Sequence, residues 1–309
     1  MDDQPDVVVR AKGLTKVFKG RRAVDGLDLE VVRGEVFGFL GPNGAGKTTT
    51  IRMLLGLIKP TSGTAELLGY NVSTHHRQAL QRVGAVVETP CFYKHLSGRE
   101  NLRIFARLAG GASDQRIEEV LELVGLKGRA GDRVKTYSHG MRQRLGIAQA
   151  LLPAPELVIL DEPTNGLDPR GMKEIRDLVA HLAKTRAITI FLSSHLLHEV
   201  EQLCNRVAIV DHGRTVATGR VEELLNPDPN LVRLRLEPPG EAKKFLATVA
   251  GVTEIEEDGK YLRLRLAGTD VPRVVAACVA GGLSVCEVSP ERGTLEEYFL
   301  DITGGVKGA

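Results

Sequence analysis

The chain has 309 residues, 42% hydrophobic and 26% charged, a balance typical of a globular protein with about two domains. Its net charge of +2 gives no reason to expect nucleic acid as a partner. No stretch approaches the roughly 20 apolar residues that span a bilayer, and the acidic N-terminus lacks the features of a secretion signal. The four scattered cysteines predict reduced thiols of a cytosolic protein, without disulfides or a zinc site.

Three β-like runs at 7–10, 27–32 and 35–40 precede a glycine-rich loop, 41–48, which reads Gly-Pro-Asn-Gly-Ala-Gly-Lys-Thr. A helix is predicted over 47–57. A strand, a glycine loop and a helix in this order are typical of a phosphate-binding loop. The alternative is a glycine-rich turn followed by Lys-Thr by chance, and the flanking strand and helix disfavour it.

Each residue type in this loop has a chemical reason. The glycines let the backbone wrap closely around phosphate oxygens, which a side chain would block. The following helix directs free N–H groups and the positive end of its dipole at an anion. Lys47 is expected to contact the β- and γ-phosphates of a nucleotide, and the Thr48 hydroxyl to bind Mg²⁺.

A buried strand predicted at 157–160 ends in two carboxylates, Asp161 and Glu162. Asp161 can hold Mg²⁺ directly or through water, and Glu162 can polarise the water that attacks a γ-phosphate. Strands often end in acidic residues, so the two carboxylates alone are weak evidence for a metal and water site. The phosphate loop earlier in the chain makes that evidence strong. A second strand at 188–192, with a helix at 169–182 between the two strands, favours a parallel sheet covered by helices.

The segment 92–152 is predicted to be mostly helical, with a capping box at Ser97 and Glu100 and a helix over 140–152. A linker, Asn-Pro-Asp-Pro-Asn, is predicted at 226–230. After it the pattern reads βαββαβ, the ferredoxin-like arrangement, followed by one more helix. The predicted strands of this part are 231–237, 252–257, 260–266 and 283–288, and the helices are 240–250, 271–281 and 294–301.

Residues 136–144, Thr-Tyr-Ser-His-Gly-Met-Arg-Gln-Arg, resemble the signature motif of ABC-type ATPases, at the spacing from Asp161 that the family shows. His195 stands where that family has its switch histidine, and 165–168, Asn-Gly-Leu-Asp, matches its D-loop. The resemblance covers roughly residues 8–225. It implies an α/β P-loop ATPase core with a RecA-like parallel sheet, an antiparallel β subdomain and an α-helical subdomain. A small α+β ferredoxin-like domain is expected to follow the linker.

The expected domains are therefore 1–225, with its helical subdomain at about 92–152, and 226–309. ABC ATPases sandwich two ATP molecules between two head-to-tail domains, which implies that Ser138 and Gly140 contact the γ-phosphate bound to a second subunit. Ser138 is alternatively a helix N-cap, and Asp168 can serve both as a cap and as a subunit contact. Phe18 stands where the family stacks an aromatic ring on adenine, although a core aromatic is the alternative.

The site residues expected from the motifs and the resemblance fall into three groups. Nucleotide contacts are Phe18, Asn43, Gly44, Ala45, Gly46, Lys47, Thr48, Thr49, Ser138, Gly140 and Asp168; catalytic residues are Lys47, Glu162 and His195; metal ligands are Thr48, Glu88 and Asp161.

Two positions depart from the family pattern. Glu88 stands where the family has the glutamine of its Q-loop, and His139 stands where most members have glycine. A carboxylate ~4 Å from a γ-phosphate would cost ~1 kcal/mol in water and ~4 kcal/mol at an effective dielectric of 20. Coordination of Mg²⁺ would remove that cost. Glu88 is therefore expected to be a metal ligand or to turn away from the phosphate.

The segments 88–101 and 293–301 are similar to ATP-binding subunits of bacterial drug and antibiotic exporters of the bacitracin and lantibiotic-resistance type. This similarity implies a permease on a separate chain and a second ATPase subunit, expected to be identical. The protein would then lie at the cytoplasmic face of a bacterial membrane. Phe92 and Tyr93 are candidates for contact with the permease, with buried core aromatics as the alternative.

Two other classes stay open. One is a soluble ABC ATPase that acts outside transport, on ribosomes or DNA. The single ATPase domain and the absence of a heptad repeat argue against it. The other is a nucleotide-gated binding module with little turnover, against which Lys47, Asp161 and Glu162 argue. The C-terminal domain shows no recognisable chemistry and is expected to stabilise pairing or tune the ATPase.

Overall fold

A computed structural model describes residues 6–108, 110–225, 230–290 and 293–303. Two compact units make up the chain: one holds the residues up to Val221 and those from Phe299, and the other holds Glu222–Tyr298. Residues 226–229 of the predicted linker lie outside the described part.

Several strands of the first unit extend beyond the runs that predicted them, whereas its first helix ends at Leu54, three residues before the predicted end at 57. In chain order, the helices and strands are β1 (Val7–Phe18), β2 (Arg21–Val32), β3 (Val36–Leu40), α1 (Lys47–Leu54), β4 (Ser62–Leu67), β5 (Tyr70–Asn71), α2 (His76–Leu80), β6 (Val83–Val86), α3 (Gly98–Leu108), α4 (Asp114–Leu123), α5 (His139–Leu151), β7 (Leu157–Asp161), α6 (Pro169–Arg186), β8 (Thr189–Ser194), α7 (Leu197–Leu203), β9 (Arg206–Asp211) and β10 (Arg214–Arg220).

The central sheet of this unit has the strand order β10-β9-β3-β8-β7-β6. All neighbours are parallel except β10, which runs antiparallel to β9. Every residue of β3, β7 and β8 is buried, including the polar Asp161 at the end of β7 and the polar Ser193 and Ser194 at the end of β8. Full burial on both faces is characteristic of parallel strands covered by helices. The expected parallel sheet is therefore present.

A second, antiparallel sheet has the order β2-β1-β4-β5 and packs its apolar residues into the same core as β3 and α1. The helical segment contains α3, α4 and α5. The predicted capping box is confirmed there: the Ser97 N–H donates to Glu100 Oε2 (2.7 Å), and the Glu100 N–H donates to Ser97 Oγ (3.2 Å).

Helix α6 is four residues longer than the predicted 169–182. The last large apolar residue, Leu182, suggested the end, but the helix continues through Ala183 and three polar residues to Arg186. It stops at Ala187, whose left-handed backbone (φ 51°) ends the helix without the glycine that usually marks such a stop.

The remaining elements are α8 (Val221–Leu225), β11 (Leu231–Glu237), α9 (Pro239–Leu246), β12 (Val252–Asp258), β13 (Tyr261–Leu266), α10 (Val271–Ala280), β14 (Ser284–Pro290) and α11 (Leu295–Thr303). The sheet order β12-β13-β11-β14 is antiparallel throughout. This is the ferredoxin-like order, so the predicted βαββαβ arrangement is confirmed. Leu234, Leu246, Leu264 and Cys278 are among the residues of its separate core.

The central sheet explains why distant residues meet. Strands β3, β8 and β7 are neighbours and parallel, so their carboxyl ends lie along one edge. Ligands of open α/β sheets bind outside that edge. The phosphate loop follows β3, the two carboxylates end β7, and His195 follows β8. None of the described helices has the length and apolar character needed to cross a membrane.

Candidate active site

The phosphate loop owes its shape to two glycines with no room for a side chain. A Cβ at Gly41 would lie 2.2 Å from the carbonyl oxygen of Val210. At Gly46, which has φ +104° and precedes α1, a Cβ would lie 2.5 Å from the carbonyl oxygen of Ala23. Gly44 also has a positive φ, but the space around it is open. Open space at Gly44 leaves room for a ligand to approach the backbone.

Helix α1 begins at Lys47 with no side-chain cap on its free N–H groups. Those groups and the helix dipole form an anion site at the loop. The Lys47 side chain is buried, and its Nζ donates to the carbonyl oxygens of Gly41 (2.7 Å) and Pro42 (3.3 Å). It also lies 3.1 Å from Oε1 of Glu162. A buried ammonium group requires such partners.

Glu162 joins the ends of three strands. Its Oε1 faces Lys47 of the phosphate loop, and its Oε2 lies 2.5 Å from Nδ1 of His195. The backbone of Glu162 is left-handed, with φ 50°, which is uncommon for a residue with a side chain. Such strained backbones are found at functional sites. The structure thus brings together the three residues expected to be catalytic.

Ser193, on β8, is a site residue that the sequence reasoning missed. Its hydroxyl donates to Oδ1 of Asp161 (2.6 Å) and accepts the backbone N–H of Glu162 (2.9 Å). Asp161 and Ser193 are paired in the parallel ladder of β7 and β8. The sequence signal for Ser193 was its position two residues before His195, since alternate residues of a strand share one face.

The signature residues form a different surface from the phosphate loop. Ser138 caps α5 by accepting the N–H of Met141 (3.2 Å), and Asp168 caps α6 by accepting the N–H of Gly171 (2.8 Å). Both help to line a cavity of about 400 Å³ together with Gly140. Among the described residues, no hydrogen bond or ion pair joins Ser138 or Gly140 to the phosphate loop.

His139 connects the two motifs of this surface. Its Nε2 lies 3.1 Å from the carbonyl oxygen of Asn165. A carbonyl oxygen only accepts, so Nε2 carries the proton in this contact. The departure from glycine at this position thus supplies a hydrogen bond between the signature motif and the D-loop.

A family model described as ABC transporter matches residues 24–165. The chain is 43% identical to the uncharacterised ABC transporter ATP-binding protein YhcH of Bacillus subtilis, over 97% of both chains. It is also 43% identical to the bacitracin transport ATP-binding protein BcrA of Bacillus licheniformis, over 96% of this chain and 98% of the relative. This chain belongs to the family of ABC transporter ATP-binding proteins.

A solved structure of an ATP-binding subunit of an ABC transporter is 30% identical, with a TM-score of 0.62 over 70% of this chain and 91% of that one. The expected fold of the ABC ATPase core is therefore confirmed. The protein is an ATP-binding and ATP-hydrolysing subunit of an ABC transporter, so ATP is its nucleotide. This excludes the reading of the phosphate loop as a chance glycine-rich turn.

Other predicted contacts of this ABC ATPase are placed as follows. Phe18, at the end of β1, is 47% exposed, and Lys16 Nζ lies 5.1 Å from its ring centroid. It is thus a surface ring, available for stacking, rather than a core aromatic. In the loop, Asn43 is exposed, Ala45 is buried, and Thr48 and Thr49 are half-buried.

Glu88 follows β6 in a left-handed backbone conformation, φ 60°, and its largely exposed carboxylate forms an ion pair with Arg52 of α1. Its charge is therefore neutralised by the helix that begins at the phosphate loop. Of the two candidate permease contacts, Phe92 is half-buried and packs edge-on against Phe105, with ring centroids 6.0 Å apart. Tyr93 is 53% exposed.

The donor set of the ABC ATPase fits Mg²⁺. Thr48, Asp161 and Glu88 supply hydroxyl and carboxylate oxygens, which this ion prefers. No group of three or more His, Cys, Asp or Glu side chains in the described part could hold a metal alone. In nucleotide enzymes, phosphates and water complete the coordination of Mg²⁺.

Proposed function

We propose that this ABC ATPase energises the export of an antibiotic-like or drug-like compound. Its partners are a membrane-spanning permease on a separate chain and a second, identical ATPase subunit. The proposal is supported by the segments 88–101 and 293–301 and by the near full-length match to the bacitracin transport protein. The protein then acts at the cytoplasmic face of a bacterial membrane, where the permease holds it.

The contact of Glu162 with both Lys47 and His195 is the observation that carries the ATPase mechanism. The Lys47 ammonium pairs with the Glu162 carboxylate and donates hydrogen bonds to loop carbonyls. The phosphates of ATP are stronger competitors for Lys47, because they offer several charged oxygens. Their arrival frees the Glu162 carboxylate for water, while His195 continues to orient it.

Hydrolysis then follows from the position of these groups. Glu162 orients the attacking water and accepts a proton from it. The water oxygen bonds to the γ-phosphorus as the bond from γ-phosphorus to the bridging oxygen breaks, and that oxygen leaves with ADP. Lys47 and the N–H groups of α1 stabilise the negative charge on the phosphates. Mg²⁺ bound by Thr48, Asp161 and Glu88 would supply further neutralisation of the β- and γ-phosphates.

The second subunit completes each site in this proposal. Ser138 and Gly140 line an open cavity on a surface separate from the phosphate loop of their own chain. Two chains placed head to tail would set this surface over the phosphate loop of the partner. Phe18, at the edge of the first unit, stacks on the adenine ring. Closure on ATP, hydrolysis and reopening would drive the permease.

Phosphate release from the complex with its permease tests the proposal, with the wild type compared with Glu162→Gln. Loss of turnover in Glu162→Gln, with ATP binding kept, supports it. Glu156→Gln is the matched control, because Glu156 precedes the opposite end of the same strand β7 and pairs with Arg33 and Arg82. Equal and negligible rates for wild type and Glu162→Gln would instead favour a nucleotide-gated module.

The domain after the linker is proposed to stabilise pairing of the ATPase subunits or to tune their turnover. Its separate core supports an independent accessory role. Truncation after Leu225 tests this role. Unchanged dimerisation, turnover and transport in the truncated chain would contradict it.

A further inference from the structure

We propose that Ser193 is a positioning residue of the ATPase, which holds the metal-binding carboxylate of Asp161 and the catalytic carboxylate of Glu162 in register with each other. This inference deepens the proposed mechanism and rests on the roles given there to Asp161 and Glu162. Within the described part of the chain, the Ser193 hydroxyl hydrogen-bonds to neither the phosphate loop nor His195.

The hydroxyl of Ser193 is wholly buried and has both its donor and an acceptor in use. An ionised carboxylate only accepts, so the Ser193 O–H donates to Asp161. A backbone N–H only donates, so Ser193 Oγ accepts from Glu162. The two partners therefore fix the direction of the hydroxyl, and neither alanine nor water can replace it in a site with 0% exposure.

The first bond acts on the metal ligand. Asp161 is itself buried, and its Oδ1 accepts from Ser193 at 2.6 Å. A short bond to a charged oxygen is among the stronger hydrogen bonds in proteins. It stops rotation of the carboxyl group and leaves Oδ2 available to face a cation. Groups that orient a metal ligand in this way commonly affect metal affinity or activity by about 10–100-fold.

The second bond acts on the catalytic base. The left-handed backbone at Glu162 is unfavourable for a residue with a side chain. The N–H bond to Ser193 stabilises this conformation, and the conformation aims the Glu162 side chain at Lys47 and His195. The Ser193 hydroxyl therefore positions both Asp161, for the metal, and Glu162, for the attacking water.

A satisfied buried serine with a purely structural role is the competing explanation. Ser194 provides the matched control, because it is also buried, and its Oγ accepts the N–H of Leu196 (2.9 Å) rather than a bond from either carboxylate residue. Ser193→Ala and Ser194→Ala each delete one buried hydroxyl on adjacent positions of β8. Both should lower stability, but only Ser193→Ala should change the response to Mg²⁺.

The first measurement is binding of a fluorescent ATP analogue by the full chain during a Mg²⁺ titration. Ser193→Ala should raise the Mg²⁺ concentration for half-maximal binding by about 10-fold or more. Its affinity for the analogue without Mg²⁺ should change far less, because the loop and the hydrogen bonds from Lys47 to the loop carbonyls are not altered. Ser194→Ala should match the wild type in both conditions.

The second measurement is turnover with the permease, as a double-mutant cycle. Ser193→Ala should lower kcat by about 10–100-fold in the wild-type background and have little effect in Glu162→Gln, because both changes disable one unit. Ser193→Thr keeps the hydroxyl and should recover much of the loss.

The outcomes separate the two proposals. A normal Mg²⁺ response in Ser193→Ala, or an equal change in Ser194→Ala, overturns the role of Ser193 and leaves the ATPase mechanism intact. Wild-type turnover in Glu162→Gln overturns the mechanism itself. If Ser193→Ala does not fold, Ser193→Cys replaces it, since its thiol fills the space with a weaker hydrogen bond. An unchanged Mg²⁺ requirement in Ser193→Cys then contradicts the proposal.

Discussion

The Nδ1 atom of His195 lies 2.5 Å from Oε2 of Glu162, and its N–H donates a hydrogen bond to that carboxylate. An ionised carboxylate has no proton to give, which fixes the tautomer of the imidazole at this contact. No hydrogen bond to the second ring nitrogen, Nε2, occurs within the described part of the chain. A histidine that follows β8 thus orients the carboxylate that follows β7.

Two replacements of His195 distinguish the roles of its two ring nitrogens. His195→Ala should lower phosphate release on the order of 100-fold or more, because the orientation of Glu162 and the contact of Nε2 are both lost. His195→Asn keeps an N–H close to the Nδ1 position and should retain more turnover than alanine. Equilibrium ATP binding should change little in either variant. Wild-type turnover in His195→Ala would contradict the assigned role.

The sequence was sufficient for the parts of the site that depend on the order of strands. The phosphate loop, Asp161 and His195 follow apolar runs, and parallel neighbours bring the ends of such runs together. Ser193 was missed because a serine in a buried strand has no motif of its own, and its position two residues before His195 was the one signal that it offered. The Arg52 partner of Glu88 was also missed, since this pairing depends on the path of the loop after β6.

Glu88 is predicted to exchange Arg52 for Mg²⁺ when ATP binds. Glu88→Gln should increase ATP affinity without Mg²⁺, because a negative charge near the γ-phosphate is removed. With Mg²⁺ there should be no such gain, because the lost metal contact offsets it. Binding of a fluorescent ATP analogue with and without Mg²⁺ measures both effects.

Arg52→Gln is the matched test of the same ion pair. It leaves the Glu88 charge uncompensated and should weaken ATP binding mainly without Mg²⁺. The side chains of the pair are 40% and 60% exposed, so raised salt should reduce the effect. Equal effects of Glu88→Gln with and without Mg²⁺ would contradict coordination of the metal by Glu88.

Two of the four cysteine thiols should react readily with thiol reagents, and the other two should be protected by burial. Burial raises the pKa of Cys204 and also raises that of Cys278, so neither forms the reactive thiolate readily. Cys91 and Cys286 are exposed. A thiol reagent at pH 8 should modify Cys91 and Cys286 quickly and the other two only after unfolding. Mass spectrometry of the modified peptides checks the assignment.

The capping box of α3 should make a measurable, pH-dependent contribution to stability. Ser97→Ala should lower the free energy of unfolding by about 1 kcal/mol, and Ser97→Thr should lower it less. The backbone N–H of Ser97, and then its hydroxyl, hold the pKa of Glu100 below its ordinary value. The Glu100 contribution is therefore present above the unfolded pKa of about 4.3 and is lost as pH falls through the lower folded pKa.

Urea unfolding of the wild type and Glu100→Gln at a series of pH values measures this dependence. The difference in stability between the two proteins should be constant near neutral pH and should shrink in acid. A difference that stays constant down to pH 3 would contradict an ionised Glu100 as the partner of Ser97.

Replacement of Gly140 should affect function without lowering the stability of the fold. It lies inside α5, and an added Cβ would meet only Leu167, at 3.7 Å, an ordinary contact. Alanine is the better helix former by about 0.5–1 kcal/mol, so Gly140→Ala should leave the isolated chain at least as stable as the wild type. By contrast, Gly41→Ala collides with the carbonyl of Val210 and should disrupt the loop itself.

If Gly140 approaches the γ-phosphate bound to a second chain, the extra methyl group of Gly140→Ala should prevent closure. We expect loss of ATP-driven dimerisation, measured by light scattering in the Glu162→Gln background, with thermal stability kept or increased. Binding of a fluorescent ATP analogue to the isolated chain should be unchanged, because the phosphate loop is not altered. Normal dimerisation of the variant would therefore remove Gly140 from the proposed interface.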